Sequence, residues 1–447
     1  MKKMLVVGAR RSGTYAALLG VKNGFEVFVT EKSDSPEIRE YVELLKENGI
    51  EYEIGGHLHW KNGNYDFAVV SPGVPRNAEI ISEINAKKIP LIGEMEFAFR
   101  MSPDTKIVSI TGTNGKSTTT ALTGNIFSHS GLNSVFGGNL GTPYSELLYH
   151  NPHPDVAVLE TSCFQLETIV RFHPFISVFL NFSEDHLNRY ENMEEYLHYK
   201  MRIFENQTDS DFAVLNFSDK TLREKSKNLK AKVFYFSPDK EPERGACAEN
   251  GEIYFVDNGV KEPVIPVSEI KLRGKHNVEN VLAAVLSAKL FGLTNDVIRE
   301  GVGTFKGLEH RLEEVRMLNG VLYVNDSKAT TPDSVIKALN SFNEKIVLIA
   351  GGSSKNNDFT EMAKLFPEKL RKLILIGETA PDIANSALES GFSDIVFATD
   401  LKEAVLLSKK IAKSGDVVLL SPACASFDMF ADFEDRGRQF KEIVKDL

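Results

Sequence analysis

Between Ser109 and Thr120 the chain reads SITGTNGKSTTT, a glycine-rich turn that runs into a lysine and four hydroxyl residues. Around Gly112 and Gly115 the backbone N–H groups can approach an anion with no Cβ in the way, and the helix expected from Lys116 adds its N-terminal dipole. Lys116 can then reach terminal phosphates, and the Ser117 or Thr118 hydroxyl can ligate Mg²⁺. The usual G-x-x-x-x-G-K-[ST] pattern would need a glycine where this chain has Ile110; counted from Gly112, only Thr113 and Asn114 precede Gly115. An ordinary strand-to-helix turn would not call for a lysine followed by hydroxyls, so the stretch reads as a shortened nucleoside triphosphate loop.

Three further stretches could serve a phosphate chemistry. DVAVLET ends in Glu160, a carboxylate at the tip of an apolar strand, which suits a Mg²⁺ ligand or a plain edge carboxylate. NFSEDHLNRY sets Asp185 and His186 just past another strand, where ligands of open α/β sheets collect. In MEEYLHYKMRIFEN, Met193, Tyr196, Leu197, Met201 and Phe204 follow helical spacing, and Lys200 falls on the same face. An ammonium there must snorkel, pair or lose its charge, and on sequence alone snorkelling is the plainer reading.

Toward the C-terminus, VNDSKATT, AGGSSKNNDF and SPACASFDMFADF each follow a strand. They bring Asp326, Lys328, Thr330, Lys355 and Ser426 to loop positions, either as a pocket for a small anion or as solvated loop tips. At the N-terminus, Gly8 and Gly13 match the outer glycines of G-x-G-x-x-G, but Arg10 replaces the middle one. That side chain would obstruct a pyrophosphate, which disfavours an NAD site. Arg10 and Arg11 could still bind phosphates from the side, and Glu31 could meet a ribose or base.

The elements that must position these residues are short β-branched runs alternating with helical stretches, the pattern of a doubly wound α/β protein. KMLVVGA, EVFVTE and DFAVVSPGVP open a first Rossmann-like domain, residues 1–95. KIVSITG, DVAVLET and FISVFLNFSEDH build a central P-loop ATPase-type parallel-sheet domain, residues 96–304. VLYVNDSKATT, KIVLIAGG, KLILIGE, DIVFATD and DVVLLSPACAS repeat the first architecture over residues 305–447.

Bulk properties narrow the class. With 447 residues, one core is too few. The net charge of −10 argues against a nucleic acid partner. The basic stretch from Lys220 to Lys232 reads as a solvated helix face. Cys163, Cys247 and Cys424 lie far apart, as expected in a reducing compartment. No apolar run is long enough for a signal peptide or a membrane span, so a cytoplasmic protein is expected.

Taken in order and spacing, VVSPGVP, GTNGKST, GGNLGTP, ETSCFQLE, NFSEDHLNRY, HNVEN, EHRLE, NDSKATT and SPACASFDMF resemble the Mur ligases over essentially the whole chain. These are the ATP-dependent amide-forming enzymes of peptidoglycan precursor synthesis, on which cell-wall biogenesis, cell shape and division depend. The resemblance is to the branch that adds glutamate to UDP-N-acetylmuramoyl-L-alanine. It implies that Gly112 to Thr118 bind the ATP phosphates, with Lys116 on the γ-phosphate, and that Ser117, Glu160, His186 and Lys200 hold two Mg²⁺ ions. Lys200 matches the lysine that this family carbamylates into a carboxylate ligand.

The resemblance also implies roles around the three substrates. Asn277 and Asn280 match residues near the adenine, and Arg311 and Asp326 those meeting ATP phosphates and ribose. Ser71 and Asn139 match contacts to the UDP-sugar, with Glu31 and Lys32 matching its acidic-hydroxyl turn in part. Lys328, Thr330, Lys355, Ser426, Phe427 and Phe433 match the amino-acid site. The implied mechanism passes through an acyl phosphate, with closure of the last domain onto ATP, in a monomeric enzyme. A sister ligase, folylpolyglutamate synthase, shares the ATP loop but takes a pterin substrate. A nucleotide-binding module without catalysis would not need Glu160, His186 and Lys200 together.

Overall fold

The structure is a computed structural model that describes the chain except residues 140, 186–188, 355 and 356, and the side chain of 275. Its strands form three sheets. Contacts divide the chain into two compact units, residues 1–270 with 278–305, and residues 271–277 with 306–447. The first unit carries two of the sheets and the second unit the third.

The first sheet contains β1 (Lys3–Val7), β2 (Glu26–Thr30), β3 (Glu51–Glu53), β4 (Phe67–Val70) and β5 (Leu91–Gly93), ordered β3-β2-β1-β4-β5. All its pairings are parallel. Strand order reverses between β1 and β4, so the crevice beyond their C-terminal ends is the natural ligand position of such a sheet.

The central sheet is β6 (Lys106–Thr111), β7 (Ser134–Gly138), β8 (Val156–Glu160), β9 (Ile176–Phe179), β10 (Phe212–Asn216), β11 (Lys232–Ser237), β12 (Gly245–Glu249), β13 (Glu252–Asp257) and β14 (Val260–Pro266). It is parallel from β7 through β12. The expected parallel sheet is extended at one edge by β13 and β14, which pair antiparallel. The cause is local: Asn250-Gly251 and Asn258-Gly259 all take positive φ, the geometry of two-residue hairpin turns. The basic stretch is a helix only over Lys220–Ser226, and Lys232 already begins β11.

Apolar residues of the first and central sheets, among them Val6, Val29, Ala157 and Phe179, belong to one buried cluster. The third sheet is β15 (Glu313–Leu318), β16 (Val321–Asn325), β17 (Ile346–Ala350), β18 (Leu370–Leu375), β19 (Ile395–Phe397) and β20 (Val417–Leu420), ordered β15-β16-β20-β17-β18-β19. Only β15 is antiparallel, joined to β16 by a further Asn-Gly turn at Asn319-Gly320. Helices cover both faces of its buried Val/Ile/Leu strands.

Candidate active site

The phosphate loop leaves β6 at Thr111 and enters the helix Lys116–Ser128. Its two glycines are required for different reasons. At Gly112 (φ +154°) a Cβ would stand 3.0 Å from the Leu180 side chain, and at Gly115 (φ +84°) it would stand 2.4 Å from Asn280 Oδ1. The loop is fixed from outside: Thr113 N–H donates to Asn181 O at 2.9 Å, and Asn114 N–H to Asn181 Oδ1 at 2.8 Å. No side chain caps the helix, and its first turn holds no carboxylate, so the positive end of its dipole is left for an anion.

Lys116 curls back, and its Nζ donates to the carbonyls of Gly112 and Thr113, both at 2.9 Å. Ser117 and Thr118, half-buried, follow in the first turn. Asn280, 5% exposed on the helix Lys275–Phe291, accepts from the Thr119 hydroxyl at 3.1 Å.

Lys200 is 1% exposed, on the helix Met193–Met201, and its Nζ donates to Gly112 O at 2.8 Å. It therefore shares one carbonyl with Lys116. Burial first, and the Lys116 charge second, lower its pKa to about 7, while Cys163, Asp185 and Glu160 pull in the opposite sense. The ammonium lies 5.0 Å from the centroid of the Tyr196 ring, whose hydroxyl reaches Thr113 Oγ1 at 3.4 Å. Snorkelling is excluded, because the amine points inward.

Glu160 ends β8 opposite Ile110 of β6, and is 3% exposed. Its Oε1 accepts from Asn139 Nδ2 at 2.8 Å, and Oε2 has no hydrogen-bond partner among the described residues. A buried carboxylate oxygen without a hydrogen-bond donor, in the same unit as the half-buried Ser117 and Thr118 hydroxyls, offers the oxygen chemistry that fits a hard divalent cation. His186 lies outside the described residues; Asp185, just before it, is half-buried.

In the second unit the expected residues gather at the C-terminal ends of β16 and β20. Asp326 follows β16; its Oδ2 accepts from Ser421 Oγ at 2.7 Å and its Oδ1 from Leu312 N–H at 3.2 Å. Burial pushes its pKa up to about 7 against those two hydrogen bonds and the Arg311 charge. Arg311 itself is exposed. Lys328 Nζ lies 5.2 Å from the Phe433 ring centroid, Thr330 is half-buried, Ser426 is buried and Phe427 is 72% exposed. Asn277 Nδ2 donates to Arg273 O at 2.6 Å. Lys355 lies outside the described residues.

One residue of this region escapes a motif-based reading. Arg436, fully buried on the helix Phe433–Lys445, donates from Nε to Ser327 Oγ and from Nη2 to Ser327 O, both at 2.9 Å. It also donates to Cys424 O at 3.2 Å and Ala425 O at 3.3 Å. One guanidinium thus ties the loop carrying Lys328 to the loop carrying Ser426. The available signal is spacing, since Arg436, Phe440 and Val444 form one buried stripe.

In the first sheet, Gly8, Arg10, Glu31, Lys32 and Ser71 border a cavity of about 570 Å³. Ser71 is buried just beyond β4, and its hydroxyl has no partner among the described residues. Glu31 is fixed by accepting from Ala9 N–H at 2.9 Å and Ser33 N–H at 2.8 Å. Arg11 is engaged elsewhere, in a two-pronged ion pair with Glu146 at 2.6 and 2.9 Å.

Comparison with known proteins decides the family. Residues 110–288 match the Mur ligase middle domain, and residues 310–424 match the Mur ligase, glutamate ligase domain. The chain belongs to the Mur ligase family. The UDP-N-acetylmuramoylalanine--D-glutamate ligase of Pelotomaculum thermopropionicum is 45% identical, over all of this chain and 98% of its own length. The enzymes of that name from Alkaliphilus metalliredigens and Clostridioides difficile are each 42% identical, over all of this chain and 98% and 99% of theirs. The fold is that of the UDP-N-acetylmuramate-alanine ligase of Thermotoga maritima (21% identity, TM-score 0.61, covering 100% of this chain and 99% of that one). A pseudomurein peptide ligase type C of Methanothermus fervidus has the same fold (20% identity, TM-score 0.61, both chains fully covered). This Mur ligase is accordingly an ATP-dependent, amide-forming enzyme with a role in peptidoglycan synthesis. No helix among its described residues is long and apolar enough to cross a membrane.

Proposed function

We propose that this Mur ligase joins D-glutamate to the alanyl carboxylate of UDP-N-acetylmuramoyl-L-alanine in the cytoplasm, acting as a monomer and activating the carboxylate as an acyl phosphate. The observation that carries the reading is the meeting of Lys116 and Lys200 at one carbonyl, Gly112 O, at 2.9 and 2.8 Å, beside a helix N-terminus that no side chain caps and whose first turn holds no carboxylate. The names of the relatives support the choice of substrates.

In this reading the loop from Gly112 to Thr118 cradles the ATP phosphates, and Lys116 swings from its carbonyls to the γ-phosphate. Asn277 and Asn280 border the adenine, and Arg311 and Asp326 meet the phosphates and ribose. Ser71 and Asn139 hold the UDP-sugar, with its nucleotide end in the first-sheet cavity beside Glu31 and Lys32. Lys328, Thr330, Lys355, Ser426, Phe427 and Phe433 form the glutamate site, where the two lysines receive carboxylates.

The alanyl carboxylate oxygen attacks the γ-phosphorus and the bond to ADP breaks. The glutamate amine then attacks the acyl carbon and loses a proton. The tetrahedral intermediate collapses with release of inorganic phosphate. Lys116 offsets the negative charge gathered between two anions and is worth most in the transition state. Ser117, Glu160, His186 and Lys200 would hold two Mg²⁺ ions, which supply further charge neutralisation when bound. For that role the Lys200 ammonium would first give up one proton, which its lowered pKa favours, and the neutral amine would attack CO₂ and shed a second, so that a cation becomes a carbamate anion.

Phosphate release from ATP, measured with D- and L-glutamate side by side, tests the reading. Release that needs both UDP-N-acetylmuramoyl-L-alanine and D-glutamate is the expected result. Release with L-glutamate alone, or without the UDP-sugar, contradicts it.

A further inference from the structure

His57 is half-buried in the loop after β3 and borders the first-sheet cavity. Its Nδ1 lies 2.7 Å from Thr30 Oγ1, and the Thr30 hydroxyl lies 2.9 Å from Glu53 Oε1. The proton count along this chain is determined. Glu53 accepts from the N–H groups of Leu58, His59 and Trp60 at 3.0, 2.7 and 3.1 Å, and these hydrogen bonds outweigh burial to hold its carboxyl below the usual range. As an ionised carboxylate it can only accept, so the single Thr30 proton goes to Glu53. Thr30 Oγ1 must then accept from His57, which places the imidazole proton on Nδ1 and leaves a lone pair on Nε2.

Position says what that lone pair would meet. The cavity lies over the C-terminal ends of β1, β2 and β4, at the reversal of strand order. Glu31 stands at the end of β2, the place from which a carboxylate reaches ribose hydroxyls in such sheets. His57 stands one strand further out, beyond β3, where the base of a nucleotide with that ribose would lie. We infer that His57 is a specificity-determining residue that accepts a hydrogen bond from N3–H of a uracil base through Nε2, and so selects uridine over cytidine nucleotides. The inference rests on the reading of this cavity as the UDP site. Cytosine offers a lone pair at N3, so two acceptors would face each other, and a polar group left unpaired in a half-buried site is costly.

The groups around the ring are Glu31 and Lys32 from the end of β2, Glu53 from β3 and Glu83 from the helix Glu79–Ala86. Burial outweighs the three carboxylates, aided by Lys32, and holds the imidazole below its ordinary pKa, so the neutral acceptor form prevails at neutral pH.

The test is equilibrium binding of UDP and of CDP to the full chain, for wild type, His57→Phe and His57→Gln, near pH 8 and near pH 5. Wild type is expected to prefer UDP near pH 8, and His57→Phe to lose about tenfold in UDP affinity with CDP nearly unchanged. His57→Gln, whose amide oxygen can accept, should regain part of the preference. Acid should weaken UDP binding in wild type more than in His57→Gln, because protonation turns Nε2 into a donor. Equal loss of UDP and CDP in His57→Phe would make the residue a structural support, and an intact UDP preference would remove it from recognition; either overturns the inference while the cavity remains the UDP site. Wild type that binds neither nucleotide would overturn the cavity reading as well.

Discussion

Lys200 and Arg436 are both cations buried to within 1% exposure, both on the apolar stripe of a helix, and both donate to loop carbonyls. They differ in what burial can do to them. Lys200 makes one described hydrogen bond, sits beside Lys116 and has its pKa lowered to about 7, so the neutral amine is within reach. Arg436 spreads its charge over the carbonyls of Ser327, Cys424 and Ala425 and a hydroxyl, and although burial lowers its pKa to about 10 it keeps its proton at neutral pH. A buried lysine that is poorly satisfied is a reactive group; a buried arginine that is fully satisfied is a clamp.

The largest effect should come from removing the reactive member. Lys200→Ala is expected to fold and to lose about a thousandfold in turnover. Added formate or acetate should restore part of that loss by placing a carboxylate in the vacated space. Rescue by neither acid in steady-state assays would show that Lys200 acts as a cation. Lys116→Ala should lower turnover by about a hundredfold, near 3 kcal/mol of transition-state stabilisation. Near-normal rates in that variant would remove the loop from ATP chemistry.

The clamp should fail in a different quantity. Arg436→Lys keeps the charge but cannot satisfy two loops at once, and should destabilise the second unit by about 3 kcal/mol in urea unfolding. The KM for glutamate should rise with it, and the KM for the UDP-sugar should hold. Equal changes in both KM values would mean that the loops are not held separately.

The smallest effect concerns Asp326, whose carboxyl is pushed from 3.8 to about 7 by burial. A raised acid pKa means that the folded state binds the proton more tightly. Its contribution is full below pH 3.8 and is lost as pH rises through about 7. Wild-type stability should therefore fall between about pH 4 and pH 7 and level off above that. Asp326→Asn should flatten that dependence and gain on the order of 1 kcal/mol at the alkaline end, as read by thermal unfolding.

Residue type and spacing expose Lys200 because a lysine among Tyr196, Leu197 and Met201 breaks a periodic rule, and they expose Glu160 because a carboxylate ends an apolar strand. The same periodicity runs through Arg436, Phe440 and Val444, but there the arginine sits within DRGRQFKE, where charge is the background. The antiparallel strands were legible too: Asn250-Gly251, Asn258-Gly259 and Asn319-Gly320 are each an Asn-Gly pair close to a strand-forming run (IYFV after the first and before the second, VLYV after the third), the strongest short-range hairpin signal. Thr30, Glu53 and His57 were not, because a proton chain across two strands and a loop exists only once β2 and β3 are paired. The hydrogen bonds of Asn181 to the phosphate loop are hidden for the same reason, since they join residues 67 positions apart.

The contrast between the two buried cations is tested most directly by ¹³C NMR of the enzyme in ¹³C-bicarbonate. Wild type should show a lysine carbamate carbon that disappears in Lys200→Ala and in Lys200→Arg, while Arg436→Lys leaves it unchanged. A spectrum without a carbamate signal in active wild-type enzyme, or one that persists in Lys200→Ala, would contradict the account.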